Sequence, residues 1–290
     1  MPIVLDHIQY VYGQGTPFEK VALDGVSLTI HEGEFVGIIG HTGSGKSTFV
    51  QHLNGLLHPT SGTVSVNGVN LADKTEEAKN TRHKVGMVFQ YPEHQLFEET
   101  IVQDIAFGPK NLGLSEEEVD RRVREAMKFV GLDYDTYATR SPFHLSGGQM
   151  RRVAIAGVVA LEPDYLILDE PSAGLDPFGR EEIFGEIIKL HKEKGTTVIL
   201  VSNNMEDISR MANRLIVLDQ GHVILDGKPL DIFTHDRDRL QSAGVDVPPV
   251  SVLIEYLRSR GLSVRQDVLS VDDAVVAIQE CMTGQEVDHA

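Results

Sequence analysis

A chain of 290 residues with 26 Lys+Arg against 43 Asp+Glu carries a formal net charge of −17, which argues against a general nucleic-acid coat, because neutralising phosphates needs a basic face. The single cysteine, Cys281, excludes an internal disulfide, and one Cys beside 12 His shows no zinc-finger spacing. The start MPIVLDHIQYVYG lacks the basic and apolar blocks of a secretory signal, and the longest apolar-plus-Gly run, residues 153–161, is about half of the ~20 residues a bilayer-spanning helix needs. The composition therefore predicts a cytosolic protein of one large or two modest domains. If it works at a membrane, something else holds it there.

Short β-branched runs alternate with amphipathic stretches, the pattern of an α/β fold. Strands are predicted at 3–11, 26–30, 34–39, 63–66, 84–88, 165–168, 197–201, 214–218 and 222–226, with hairpin turns at Asn67-Gly68 and Gln220-Gly221. From about 91 to 162 the texture is mostly helical. Ser115 precedes three glutamates and reads as an N-cap, and Val119, Val123, Met127 and Val130 then form one inward face. A helix over 181–194 turns Ile183, Phe184, Ile187, Ile188 and Leu190 inward and stops at Gly195. Past Asp226 the strand signals end. Two helical stretches, 250–260 and 271–282, follow Pro248-Pro249, and the final QEVDHA reads as frayed.

The first motif is Gly40-His41-Thr42-Gly43-Ser44-Gly45-Lys46-Ser47, which fits G-x-x-x-x-G-K-[ST] between the apolar run FVGII and the helical stretch STFVQHLNGLL, with Thr48 counted to the nucleotide site. Glycines let backbone N–H groups turn inward around phosphate oxygens, and the helix N-terminus adds its positive end. Lys46 would reach the β- and γ-phosphates of a nucleoside triphosphate, and the Ser47 hydroxyl would ligate Mg²⁺. The second motif, YLILDE over 165–170, is an apolar strand ending in two carboxylates. Beside the phosphate-loop strand it would bring Asp169 to the Mg²⁺ shell, while Glu170 could orient or deprotonate water. The third is Leu145-Ser146-Gly147-Gly148-Gln149, where Ser146 sits as an N-cap and two glycines bare the backbone of a helix start. Such a site can hold an anion, and since the chain has its own phosphate loop, it is expected to face the nucleotide of a second chain.

With these motifs in this order the sequence resembles an ATP-binding-cassette (ABC) ATPase over roughly residues 3–228. Residues 40–47 match Walker A, Gln90 the Q-loop, 145–149 the LSGGQ signature, 165–170 Walker B with its glutamate, and Ser172-Ala173-Gly174-Leu175-Asp176 the D-loop. The resemblance implies a P-loop NTPase fold with a RecA-like core, an antiparallel β subdomain and a helical signature subdomain at about 91–163, together spanning 1–228. A small helical extension over 229–290 completes the chain. It also implies ATP and Mg²⁺, with Ser47, Gln90 and Asp169 as the metal's protein ligands, and a head-to-tail dimer whose two sites each take the signature from the other chain. Tyr12 resembles the aromatic that stacks on adenine, and Tyr10 is close enough to compete. At the position where the family usually places a γ-phosphate-contacting histidine, this chain has Asn203. An amide can donate a hydrogen bond but cannot carry charge or shuttle a proton near neutral pH. A natural pair with one weak site and a substitution that traps ATP both fit, and so does a plain helix-capping role for Asn203.

The stretch GMVFQYPEHQLFEETIVQDIAFGPKNLGLS, with GTPFEKVALDGVSLTI near the start and VPPVSVLIEYLRSRGL in the tail, is similar to the ATPases of energy-coupling-factor transporters, of the second of their two paralogous types. That similarity implies a paralogous partner ATPase, a membrane T subunit whose coupling helices dock around Gln90 and residues 91–97, and a membrane S component that binds a vitamin or other micronutrient. The chain would then sit peripherally on the cytoplasmic face of the cell membrane, without nucleic acid as a partner. The cassette of an ordinary solute importer, and more remotely a soluble ABC ATPase acting on nucleic acid or ribosomes, are the competing readings.

Overall fold

The computed structural model describes residues 2–283. The chain opens with β1 (Ile3–Tyr12), β2 (Lys20–Ile30), β3 (Phe35–Ile39) and α1 (Lys46–Leu53), then β4 (Ser61–Val66), β5 (Val69–Asn70), α2 (Glu76–His83) and β6 (Val85–Val88). The middle is helical, with α3 (Ile101–Asn111), α4 (Glu116–Phe129), α5 (Tyr134–Tyr137) and α6 (Gly147–Val159). There follow β7 (Tyr165–Asp169), α7 (Pro177–Lys194), β8 (Thr197–Val201), α8 (Met205–Met211), β9 (Arg214–Asp219) and β10 (His222–Gly227). Four helices close the described chain: α9 (Pro229–His235), α10 (Arg237–Ser242), α11 (Pro249–Ser259) and α12 (Val271–Thr283).

The strands form two sheets, one antiparallel in the order β2-β1-β4-β5 and one in the order β10-β9-β3-β8-β7-β6. In the second sheet every pairing is parallel except that of β9 with β10. Strands β3, β6, β7 and β8 are buried at every position, which is why they read as unbroken apolar runs rather than alternating ones. Two apolar clusters flank this sheet. One includes Phe49 and Leu53 of α1 with the antiparallel sheet, and the other includes Ile105, Val123, Ile155 and Phe184 of the helices. The helical middle thus packs on the face opposite α1. Val250, Ile254, Val264 and Val268 form a third, separate cluster with Ala274 and Ala277 of α12, whereas Ile232, Phe233 and Leu240 of α9 and α10 join the main core.

Several elements differ from the sequence expectation. β2 begins at Lys20 rather than 26, because Tyr12↔Lys20 and Val11↔Val21 extend the ladder through residues that are mostly exposed and so carry no burial signal. α7 begins at Pro177, one turn before 181, since Asp176 caps it by accepting from the Gly179 N–H at 2.6 Å. Along that helix Ile183, Phe184, Ile187 and Leu190 are buried, but Ile188 is only half-buried. α2 has no apolar stripe to announce it, burying only Ala78 and Thr81. The terminal QEVDHA lies outside the described residues.

Candidate functional site

The phosphate loop is shaped by contacts that only glycine permits. At Gly40, a Cβ would stand 2.3 Å from the Leu218 carbonyl oxygen and 2.5 Å from Ser44 Oγ. Gly45, the N-cap of α1, has φ +107° and would place a Cβ 2.6 Å from the Ala22 carbonyl oxygen. Lys46 Nζ donates to the carbonyls of Gly40 at 2.6 Å and His41 at 3.0 Å, folding over its own loop. Ser44 Oγ is buried and without a partner among the described residues. His41 turns aside, with Nε2 3.0 Å from Asp219 Oδ1 and Nδ1 2.7 Å from the Thr42 carbonyl.

The strand order differs from the sequence expectation. The Asp169 strand is not beside the phosphate-loop strand, because β8 lies between β3 and β7. The three ends are nonetheless level: Ile38 and Asp169 both register with Val201. Ser47 therefore reaches across the intervening strand end to hydrogen-bond Asp169.

A cavity of about 260 Å³ opens where these ends meet, lined by Tyr12, Lys20, Thr42, Gly43, Gly45, Lys46, Ser47, Thr48, Gln90, Asp169, Glu170 and Asn203. Tyr12 stands at its rim and its hydroxyl is 3.1 Å from Thr48 Oγ1. Tyr10 does not line the cavity; its ring meets His52 and Tyr12 edge-on, so of the two tyrosines only Tyr12 is available to a ligand there. Lys20 and Ala22 also line the cavity. No motif marks them, and only the extended pairing of β2 brings them in.

The charges in the cavity shift one another. Burial pushes the Lys46 ammonium below its usual pKa, opposed by the carboxylates of Glu170 and Asp169. Burial also raises Asp169, opposed by its hydrogen bond from Ser47 and by Lys46. Glu170 is raised chiefly by burial and further by Asp169 and Asp207, while the Asn203 backbone N–H, donating to Oε1 at 2.8 Å, works the other way. Glu170 also holds a left-handed φ of 51°, unusual for a residue with a side chain. A carboxylate of raised pKa is better matched to taking a proton from water.

Asn203 is exposed at the cavity edge, and the cap of α8 is its neighbour, since Asn204 Oδ1 accepts from the N–H groups of Glu206 at 2.9 Å and Asp207 at 3.2 Å. The capping reading of Asn203 is thereby overturned: the strand-to-helix turn already has its cap one residue later.

The signature lies elsewhere. Ser146 caps α6 in a reciprocal box with Gln149, the Gln149 N–H reaching Ser146 Oγ at 3.3 Å and the Ser146 N–H reaching Gln149 Oε1 at 3.1 Å. Leu145 packs half-buried against the core, and Gly147 is exposed with open space around it. Ser146, Gly148 and Gln149 line a second cleft of about 640 Å³ with Gly174, Leu175 and Asp176. Ser172 and Ala173 lead into it, the Ala173 N–H donating to the Glu170 carbonyl at 3.2 Å. This cleft shares no lining residue with the phosphate-loop cavity.

The donor set suits a polyphosphate with a hard cation. Hydroxyl and carboxylate oxygens of Ser47 and Asp169 are the ligands Mg²⁺ prefers, and the loop keeps its shape because positions 40 and 45 have no room for a Cβ. No group of three or more His, Cys, Asp or Glu able to hold a metal by itself occurs among the described residues.

Residues 23–173 match the family model described as ABC transporter. The chain belongs to the ABC transporter ATPase family. As a member it binds ATP with Mg²⁺ and hydrolyses it, and its RecA-like core and two accessory layers are the family fold. It is 54% identical to the energy-coupling factor transporter ATP-binding protein EcfA2 of Clostridium perfringens over 97% of this chain and 98% of that protein. It is 50% identical to the protein of the same name from Clostridioides difficile over 98% and 99%. Among solved structures, cbiO1 from Clostridium perfringens, described as part of the ABC transporter complex cbiONQ, superposes at a TM-score of 0.72 with 35% identity, covering 87% of this chain and 98% of that one. The ATP-binding cassette MJ0796, solved as a dimer bound to ADP and Pi, superposes at 0.71 with 33% identity, covering 78% and 98%.

Proposed function

We propose that this chain is the ATP-binding subunit of an energy-coupling-factor type importer and forms a head-to-tail ATPase dimer with a paralogous subunit. The observation that carries the head-to-tail dimer is the separation of the two clefts: a phosphate cavity without a signature, and a signature cleft without a phosphate loop, are complementary halves. In this reading the cassette spans 1–228, its helical subdomain lies at about 91–163, and 229–290 is the C-terminal extension. Lys46 and the loop N–H groups hold the β- and γ-phosphates, Ser47, Gln90 and Asp169 face the cation, and Tyr12 stacks on adenine. Bound Mg²⁺ would neutralise phosphate charge and orient the terminal phosphoryl group. Glu170 accepts the proton of the attacking water. Ser146, Gly147 and Gly148 serve the nucleotide of the partner chain.

No helix among the described residues is long and apolar enough to cross a membrane, so membrane attachment falls to docking on a T subunit at the cytoplasmic face. Phe97 and Phe107, both exposed and meeting edge-on at 4.9 Å, supply an apolar anchor for its coupling helices, with a membrane S component selecting the solute. Co-purification from the native host tests the assignment. Two unlike membrane proteins and a sister ATPase are expected; ribosomes or nucleic acid would sink it.

Two further outcomes follow from the site. Ser146→Arg should leave ATP binding by the isolated chain nearly unchanged and block hydrolysis at the partner's site; a large loss of affinity in the isolated chain would instead place Ser146 in cis. Asn203→His should raise turnover of this chain's own site with little change in ATP affinity. A charge-assisted hydrogen bond is roughly twice as strong as a neutral one, so the neutral amide costs turnover more than binding. An unchanged rate in the assembled complex would show that Asn203 does not slow this site.

A further inference from the structure

A buried ion pair outside the phosphate cavity joins the turn after Gln90 to the signature helix and passes close to the D-loop. Arg151 lies on α6, two residues beyond the signature, and is 2% exposed. Glu93 lies in the short turn Pro92–Gln95 that follows Gln90. The guanidinium grips the carboxylate with both prongs, Nε to Oε2 at 3.0 Å and Nη2 to Oε1 at 3.1 Å. Its centre stands 5.8 Å from the Tyr91 ring, and Tyr91 is held in the left-handed region at φ 57°. The third nitrogen, Nη1, is buried without a partner among the described residues. It lies 3.8 Å from where a Cβ on Gly174 would sit.

Stability alone does not call for this arrangement. Desolvating both charges offsets much of their attraction, and a well-packed apolar pair would often hold the same elements as firmly. A bidentate fork adds direction: it fixes distance and rotation together, so neither partner can shift without the other. Its two ends are the turn that leads into the exposed Phe97 and the helix that Ser146 caps.

We propose that Glu93–Arg151 is a positioning joint that carries displacement of the 91–97 segment into the signature helix and the D-loop, so that docking on one face sets the signature serving the partner's nucleotide. This rests on the reading above, in which 91–97 receives the membrane subunit and the signature acts in trans. Arg151 touches no nucleotide in this scheme; it acts through Ser146 and Gly174.

The test uses the full transporter complex with the double variant Glu93→Leu/Arg151→Met, which removes both charges together. ATP binding and melting temperature are expected at wild-type values, and coupling is read in the complexes that assemble. Transport per ATP hydrolysed should fall about tenfold, within what coupling through a packed network carries. Arg151→Lys, which keeps the charge and loses the fork, should fall part of the way and serves as the decisive variant if the double one does not fold. Wild-type coupling in whichever variant folds and assembles would overturn the joint. Phe97→Asp separates the two levels: normal assembly in that variant removes the docking reading itself, whereas lost assembly there with wild-type coupling in the pair variant removes only the joint.

Discussion

Glu170→Gln should bind Mg²⁺–ATP as the parent does and hydrolyse it ~10²–10⁴-fold more slowly, the usual cost of losing a general base. The geometry explains the split. Glu170 Oε1 accepts the Asn203 backbone N–H at 2.8 Å, and a glutamine carbonyl oxygen can accept the same bond, so the left-handed turn after β7 and the cavity wall stay as they are. What disappears is a carboxylate whose proton affinity burial has raised. Binding draws on the loop N–H groups, Lys46 and the Ser47–Asp169 pair, all of which the substitution leaves in place. Single-turnover hydrolysis beside equilibrium ATP binding, in the parent and in an Asn203→His background with the partner ATPase present, checks this. Equal rates in the Asn203→His background, with and without the glutamate, would remove Glu170 from the role of base.

Lys46→Ala should act on the other quantity. Lys46 is the cation set against the phosphate position inside the loop, and hydrogen bonds to charged groups each contribute about 1.5–3 kcal/mol, so ATP affinity should fall by roughly 10- to 100-fold. Its ammonium is already desolvated, bonded to two loop carbonyls and flanked by two carboxylates. Removing it leaves those carbonyls unpaired and Asp169 and Glu170 without a nearby countercharge, which adds repulsion toward a triphosphate. Titration with a fluorescent ATP analogue measures the loss, and circular dichroism verifies that the variant is folded. Affinity within twofold of the parent would mean that the backbone cradle alone holds the phosphates.

The phosphate loop, the Walker B strand, the signature and the central strands were legible in the linear sequence because each is a local device. A glycine-lysine-serine spacing, a run of buried β-branched residues, or a serine three residues before a glutamine acts over a few residues and leaves its pattern there. The hairpin turns at Asn67-Gly68 and Gln220-Gly221 are of the same kind, each requiring two residues with positive φ. Periodicity could not supply what depends on residues far apart in the chain. Helix α2 and the start of β2 bury too little to leave a stripe, and β2 is held by pairing with β1. That β8 separates the phosphate-loop strand from the Asp169 strand is a matter of sheet order, which follows from how crossover helices pack and not from any single strand. The cap of α8 fell to Asn204 because only its backbone geometry lets Oδ1 meet two N–H groups, a choice between adjacent asparagines that composition leaves equal. The Arg151–Glu93 pair joins residues separated by 58 positions, and the division into two clefts arises because α6 and the phosphate loop leave opposite faces of the same sheet. Burial and long-range pairing are properties of the packed chain, and they alone decided which of the predicted residues share a cavity.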